Sequence, residues 1–431
     1  MPTLVRMLKR FLTITAGALL GTLIAFTANH YAAGWGFWPN RELDRSSTYI
    51  RQVMQLVSEN YVDGSLATYD KLSKSALHGL IESLDPHSEF LEARTFKELE
   101  EDMNAEFGGV GIQVEMRNDR VVVIAPIAGT PGDRAGILRG DEIIAVDGQG
   151  MDKIPMNDVI DRLRGKPRTR VTVKFYRPST QREFELNLTR EVIKVESVRD
   201  VRMLSDDVGY IQLTQFSERT GREFVEALNR LSRMGLSALI LDLRNNPGGL
   251  LDAAVEVAEP FFKKGELIVY TQGRTAKDRE DFRGEADEEP LSIPVAVLLN
   301  AGSASAAEIV AGALRDTQKA VIVGERSFGK GSVQSIFQLK NGEGLRLTTA
   351  RYYTPSGVTI HEKGIEPHVE VVMSPEEDRQ IRLQRARSDV IDPKEFKERF
   401  GFDPIPDRQL DAALEVLQGL RVWEARSGGA R

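Results

Sequence analysis

Short apolar runs and longer amphipathic stretches alternate through the second half of the chain. Residues 208–213, 238–243, 295–300 and 320–323 read as buried strands, with 220–234, 250–262 and 304–315 as the helices between them. That alternation predicts an α/β core over 192–376. Upstream the texture changes. Between 107 and 191 the runs Val121-Val-Val-Ile124, Glu142-Ile-Ile-Ala-Val146 and Val171-Thr-Val-Lys-Phe175 are punctuated by the turn formers Gly132-Asp-Arg-Ala-Gly136 and Asp147-Gly148, with one helix predicted over 156–164. This is a small, strand-rich module. Helical spacing marks 46–59, where Tyr49, Val53, Leu56 and Val57 share a side, and 69–83, both inside an N-terminal helical region over 41–106. Such stripes serve packing or a partner, which leaves a homo-oligomer open. After residue 376 the composition turns charged and helical, ending in an amphipathic segment at 410–422 and a polar tail at 426–431 that is expected to be disordered.

At the other end, Arg6, Lys9 and Arg10 precede an apolar stretch over 11–28, so residues 1–40 read as a signal peptide or signal anchor with its positive end in the cytoplasm. The remainder should cross the membrane. Residues 27–33 offer small side chains but no clean A-x-A site, and the apolar run approaches spanning length, which favours an uncleaved membrane anchor.

A length of 431 residues calls for two or more domains. The net charge of −7, from 57 basic and 64 acidic residues, gives no electrostatic reason to expect nucleic acid. The absence of cysteine excludes disulfides, zinc-thiolate sites, a cysteine nucleophile and a lipidated cysteine. His30, His78, His87, His361 and His368 are scattered and form no H-E-x-x-H pair, so neither a metal site nor a cofactor is expected. No G-x-S-x-G elbow supports a Ser-His-Asp triad.

The candidate chemistry sits in Asn300-Ala-Gly-Ser-Ala-Ser305-Ala-Ala-Glu308 and Gly324-Glu-Arg-Ser-Phe-Gly329-Lys330-Gly331-Ser-Val-Gln334. Ser305 falls where a predicted strand turns into a predicted helix, and the first amides of a helix lack partners, so Ala306 could donate to an oxyanion. The loop Asp242-Leu-Arg-Asn-Asn-Pro247-Gly248-Gly249 could supply a second donor, with Gly248 preferred over Gly249. A lysine can deprotonate a serine if burial depresses its pKa, which makes Lys330 a candidate base. In an extended segment Gln334 would share a face with it. Each residue also has a plainer reading: Ser305-Ala-Ala-Glu308 is a capping box, Lys330 a solvated loop lysine, Gln334 a strand glutamine. Gly324 to Lys330 matches most of a phosphate-binding loop, but Gly331 stands where Ser or Thr would hold magnesium.

Taken together, Asp85-Pro-His-Ser88, the 242–255 segment, Gly302-Ser-Ala-Ser-Ala-Ala-Glu-Ile309, Gly324 to Gln334 and Leu347-Thr-Thr-Ala-Arg-Tyr-Tyr-Thr-Pro-Ser-Gly357 resemble the carboxyl-terminal processing proteases, also called tail-specific proteases. The resemblance spans about residues 45 to 372. It implies a crotonase-like (ClpP/crotonase-type) α/β peptidase core, with Ser305 as nucleophile, Lys330 as general base and Gln334 orienting the lysine. Two departures lie beside the cleft: Val358-Thr-Ile-His361 replaces an Arg-Ser-Ile-Gln run frequent in the family, and His368 stands where Asp is usual. They bear on subsite preference and leave the Ser-Lys pair intact.

The 107–191 module resembles a PDZ domain. In such domains a Gly-rich loop, here Gly109-Val110-Gly111-Ile112, takes a C-terminal carboxylate on backbone amides while the peptide adds as a strand. Placed ahead of a peptidase core it would raise the local concentration of a substrate's free C-terminus. Members of the family use PDZ movement as a switch, and Arg164-Gly-Lys166 is positioned to relay it. The expected whole is a multidomain α/β protein with an inserted PDZ domain and helical N- and C-terminal regions, the last over 377–431. Its expected activity is that of a cell-envelope serine endopeptidase acting on protein or peptide substrates with free, apolar C-termini, with an adaptor protein left open. The alternatives are a catalytically idle PDZ scaffold, which would be marked by loss of Ser305, Lys330 or Gln334, and an acyl-CoA enzyme of the same core fold, against which the PDZ module and export signal argue.

Overall fold

The computed structural model describes residues 40–427 apart from 118, 128, 152–153, 340 and 387–391. The apolar 11–28 stretch, His30 and the last residues of the tail lie outside them. Among the described residues no helix is long and apolar enough to cross a membrane. Two compact units emerge, residues 1–84 and 85–431.

The first unit contains helices Arg41–Asn60 and Tyr69–Glu82, capped by the side chains of Asn40 and Thr68. Tyr49, Val53, Leu56 and Val57 form an exposed stripe on the longer helix.

In the second unit a six-stranded sheet runs in the order Val198–Met203, Val208–Leu213, Ala238–Asp242, Val295–Leu299, Val321–Gly324, Val369–Glu370. All neighbours are parallel except the first pair. Side chains alternate across it with period two. Leu239, Leu241, Val295, Val297 and Leu299 face helices Thr220–Arg233, Leu251–Ala258 and Ala306–Asp316. Ala238, Ile240, Ala296 and Leu298 pack instead with Ala413 and Leu417 of the C-terminal helix Arg408–Ser427. Because both faces are covered, residues 238–241 and 295–299 are apolar throughout, and each fully buried Leu or Val contributes about 1.5–3 kcal/mol. A second, antiparallel sheet carries Glu89–Leu91, Gly344–Tyr353, Leu267–Gln272, Arg279–Arg283 and Ser332–Gln338.

The inserted module is a separate antiparallel sheet in the order Ile112–Arg117, Arg120–Pro126, Glu142–Val146, Arg170–Arg177, Arg182–Thr189, closed by helix Met156–Leu163. The chain enters it through Glu106–Gly109 and leaves through Glu191–Lys194, and these two segments pair with each other, Glu106 opposite Lys194 and Gly109 opposite Glu191. One expected turn proves helical: Pro131–Arg134 is a single helical turn, with Pro131 at the position where its missing N–H costs nothing.

Candidate active site

Ser305 is the N-cap of Ala306–Asp316, directly beyond strand Val295–Leu299, with φ 54° and ψ −116°. A non-glycine residue there is strained, and such strain is concentrated at functional turns. The turn is held from two sides by three hydrogen bonds. Ala304 N–H donates to Asn246 O at 2.9 Å, Ser303 Oγ to Leu243 O at 2.8 Å, and Phe328 N–H to Ser303 O at 2.9 Å. Hence the 242–249 loop, the Ser305 turn and the 324–331 loop converge at the carboxyl ends of three adjacent parallel strands.

Glu308 ties two of these segments together, in a role the capping-box reading only half contains. Its carboxylate is fully buried and accepts four hydrogen bonds. Oε2 takes Ser305 N–H at 2.8 Å and Lys330 N–H at 2.9 Å, while Oε1 takes Ser327 Oγ at 2.6 Å and Gly329 N–H at 2.7 Å. Burial pushes the Glu308 carboxyl up, and the four donors oppose that shift by favouring the charged form.

Lys330 is half-buried, and among the described residues its amine makes neither a hydrogen bond nor an ion pair. Burial, with the Arg346 charge second, lowers its pKa from the ordinary 10.5, against the attraction of Asp85 and Glu308. Its carbonyl accepts from the buried Tyr352 hydroxyl. Asp85 belongs to Asp85-Pro-His-Ser88, where its carboxylate accepts from His87 N–H at 2.7 Å, Ser88 N–H at 2.9 Å and Ser88 Oγ at 2.8 Å. That motif therefore places a fixed negative charge near the lysine. Gln334, in strand Ser332–Gln338, donates to Ser332 Oγ at 2.9 Å and Thr348 Oγ1 at 3.4 Å. Its side-chain oxygen has no described partner.

Gly248 has φ 99°, and a Cβ there would lie 2.7 Å from both Ala304 O and Ser305 Cβ, so only glycine permits this approach. In this conformation the Gly248 amide donates to Asn246 Oδ1 at 2.9 Å. The amides of Ala306 and Gly249 have no partner among the described residues.

In the inserted module, Gly109, Val110, Gly111 and Ile112 line a groove of about 250 Å³ together with Ile160 and Leu163 of the Met156–Leu163 helix. Gly111 has φ 73°, and its carbonyl accepts from Ile127 N–H at 2.8 Å. Among the described residues, strand Ile112–Arg117 is hydrogen-bonded to one neighbour only, which leaves its other edge open beside the groove. Arg164 closes one end, its guanidinium 4.3 Å above the Phe107 ring and 3.9 Å from Glu101.

Comparison with known proteins agrees with this layout. Peptidase family S41 matches residues 207–371 and a PDZ domain matches 122–177. A carboxy-terminal-processing protease of Bartonella bacilliformis is 35% identical over 430 residues, 96% of this chain and 96% of that one. A carboxyl-terminal-processing protease of Synechocystis sp. is 35% identical over 384 residues, 85% of this chain and 88% of its own. Among solved structures, the photosystem II D1 C-terminal processing protease is 29% identical, with a TM-score of 0.45 over 75% of this chain and 92% of that one. The fold is that of this family, an α/β core of crotonase-like type with a PDZ domain and helical terminal regions. The chain belongs to the carboxy-terminal processing proteases of peptidase family S41, serine-type peptidases that carry a PDZ domain.

Proposed function

We propose that this peptidase cuts protein substrates whose apolar, unstructured C-termini are first held in the PDZ groove, and that it does so through a Ser-Lys mechanism. Lys330 in its neutral form removes the proton of Ser305 Oγ, which attacks the scissile carbonyl; as the intermediate collapses, the lysine ammonium gives that proton to the departing amine, leaving an acyl-enzyme and a neutral lysine. The same lysine then deprotonates the attacking water and returns the proton to Ser305 Oγ as the acyl group leaves. Gln334 Oε1, which makes no hydrogen bond with the Lys330 amine in this conformation, orients it once the lysine swings toward strand Ser332–Gln338. The oxyanion is received by the amides of Ala306 and of the Gly248–Gly249 pair; Gly248 abuts the nucleophile, and its use requires release from Asn246. The observation that carries this reading is the shared carboxylate of Glu308, which fixes the main chains of Ser305 and Lys330 with the lysine amine half-buried and unpaired.

Substrate capture rests on Gly109, Val110, Gly111 and Ile112, whose groove and open strand edge suit an extended peptide ending in a carboxylate. The basic flank and apolar stretch near the start support export with an N-terminal anchor, and the exposed stripe on Arg41–Asn60 supports self-association. The full chain incubated with an unfolded protein ending in Ala-Ala or in Asp-Asp should consume only the first, as followed by mass spectrometry. Ser305→Ala and Lys330→Ala should each abolish cleavage while preserving circular dichroism. Near-normal cleavage by either variant refutes the Ser-Lys assignment.

A further inference from the structure

The 242–249 loop and the Ser305 turn meet a third element that the proposed chemistry does not use: the helical segment after the core. Helix Pro375–Ala386 presents Asp378, whose Oδ1 accepts from Asn245 Nδ2 at 3.2 Å and from Asn300 Nδ2 at 3.2 Å. Asn245 immediately precedes Asn246-Pro247-Gly248, and Asn300 directly follows the strand that leads to Ser305. Asn300 Oδ1 closes the set by accepting from Asn245 N–H at 2.8 Å and Gly302 N–H at 3.1 Å. Asn245 has φ 56°, a left-handed conformation that this small network holds. A single carboxylate oxygen thus spans the two loops whose separation sets the distance between oxyanion donors and nucleophile.

The segment bearing Asp378 is itself anchored to the same loop. Arg244, 4% exposed, makes a two-pronged contact with Asp407 at 2.8 and 2.9 Å, bonds Gln409 Oε1 at 3.1 Å and pairs with Asp242 at 2.7 Å. Planar, two-pronged pairing of this sort fixes direction as well as distance. Gln409 also donates to Val371 O at 2.9 Å.

We propose that Asp378 is a positioning residue for catalysis: from the C-terminal helices it holds the Gly248 loop in register with the Ser305 turn. The proposal rests on the Ser305 reading of the site. Because it acts through hydrogen bonds to two amide nitrogens, an uncharged acceptor of the same shape should serve nearly as well as the carboxylate.

The test uses the full-length enzyme and a peptide substrate with an apolar C-terminus. Asp378→Ala should lower kcat about tenfold or more, the scale on which small misplacements of reacting groups act. KM should not change, since the PDZ groove lies on other elements. Asp378→Asn, whose amide oxygen can still accept both bonds, should recover at least half of the wild-type kcat. Asn245→Gly keeps the backbone conformation but removes one of the two bonds to Asp378, so it should lower kcat in the same direction and by no more than Asp378→Ala. The double variant should be no worse than Asp378→Ala, which already deletes the Asn245 bond. Wild-type kcat in Asp378→Ala, or equal loss in Asp378→Asn, overturns the proposal. If Asp378→Ala does not fold, Asn245→Gly decides alone, and full activity there overturns it. Ser305→Ala assayed in parallel separates the two readings: residual cleavage by that variant defeats the nucleophile assignment, whatever Asp378 does.

Discussion

Ser305 and Lys330 donate their main-chain amides to the same oxygen of Glu308, at 2.8 and 2.9 Å. The strained turn of one and the glycine-flanked loop of the other are therefore not independent. A displacement at either is felt by both through a carboxylate with no access to water. Four donors on one buried acceptor also mean that changing its chemistry leaves several groups unpaired at once.

Glu308→Gln keeps the shape but points an NH₂ group at N–H donors. Each buried donor left unsatisfied costs about 1–3 kcal/mol, so the melting temperature should fall by several degrees and peptide cleavage by more than tenfold. Differential scanning calorimetry beside steady-state kinetics checks this. Full activity in this variant would show that Glu308 does not set the geometry of the pair.

The pH dependence follows from Lys330. Its pKa is depressed, so the neutral amine appears at lower pH than for an ordinary lysine, and kcat/KM should rise with pH as its proton is lost. Arg346→Gln removes a like charge, raises the lysine pKa and moves the ascending limb toward alkaline pH. Asp85→Asn removes an attraction and moves it the other way. Rate profiles of the three proteins decide, and a limb that stays in place in both variants belongs to another group.

Gly248→Ala would place a methyl group 2.7 Å from Ala304 O and Ser305 Cβ, in a conformation with φ 99°. Cleavage should fall at least a hundredfold, on the scale of a lost oxyanion donor, with peptide binding to the PDZ groove unchanged. Kinetics and fluorescence anisotropy on the same preparation separate the two effects.

Gly111→Ala acts at the opposite station. With φ 73° and the side chain of Thr130 only 2.3 Å from the new Cβ, the loop must distort. KM for substrates with free apolar C-termini should rise about tenfold, whereas a C-terminally amidated peptide, which offers no carboxylate, should be cut at an unchanged rate.

Most of this architecture was legible in the chain because it is written in local patterns. The runs at 238–241 and 295–299 are apolar without interruption since helices cover both faces of their sheet. The Ser305 turn announced itself as small residues between a strand and a helix. What escaped notice was long-range. Ser-x-x-Glu described Glu308 as a local cap, yet two of its partners, Gly329 and Lys330, come from more than twenty residues downstream. Asp378 sits on a helix and Asp407 just ahead of one, in stretches whose charge looks merely solvating, and nothing periodic betrays a contact with Asn245 or Arg244. Strand Arg279–Arg283 is hidden by charged residues that leave no alternation to read, whereas Leu267–Gln272 opens on the apolar run Leu-Ile-Val-Tyr and is open to the same reading as 295–299.

The paired segments Glu106–Gly109 and Glu191–Lys194 bring the two attachment points of the PDZ domain side by side. Partners on antiparallel strands stand only about 5 Å apart, a gap that a two-residue Asn-Gly hairpin spans. The whole insert can therefore be excised and the stumps sealed by a tight loop, and if the proposed capture by the PDZ groove holds, the shortened enzyme should keep its chemistry and lose its preference among chain ends.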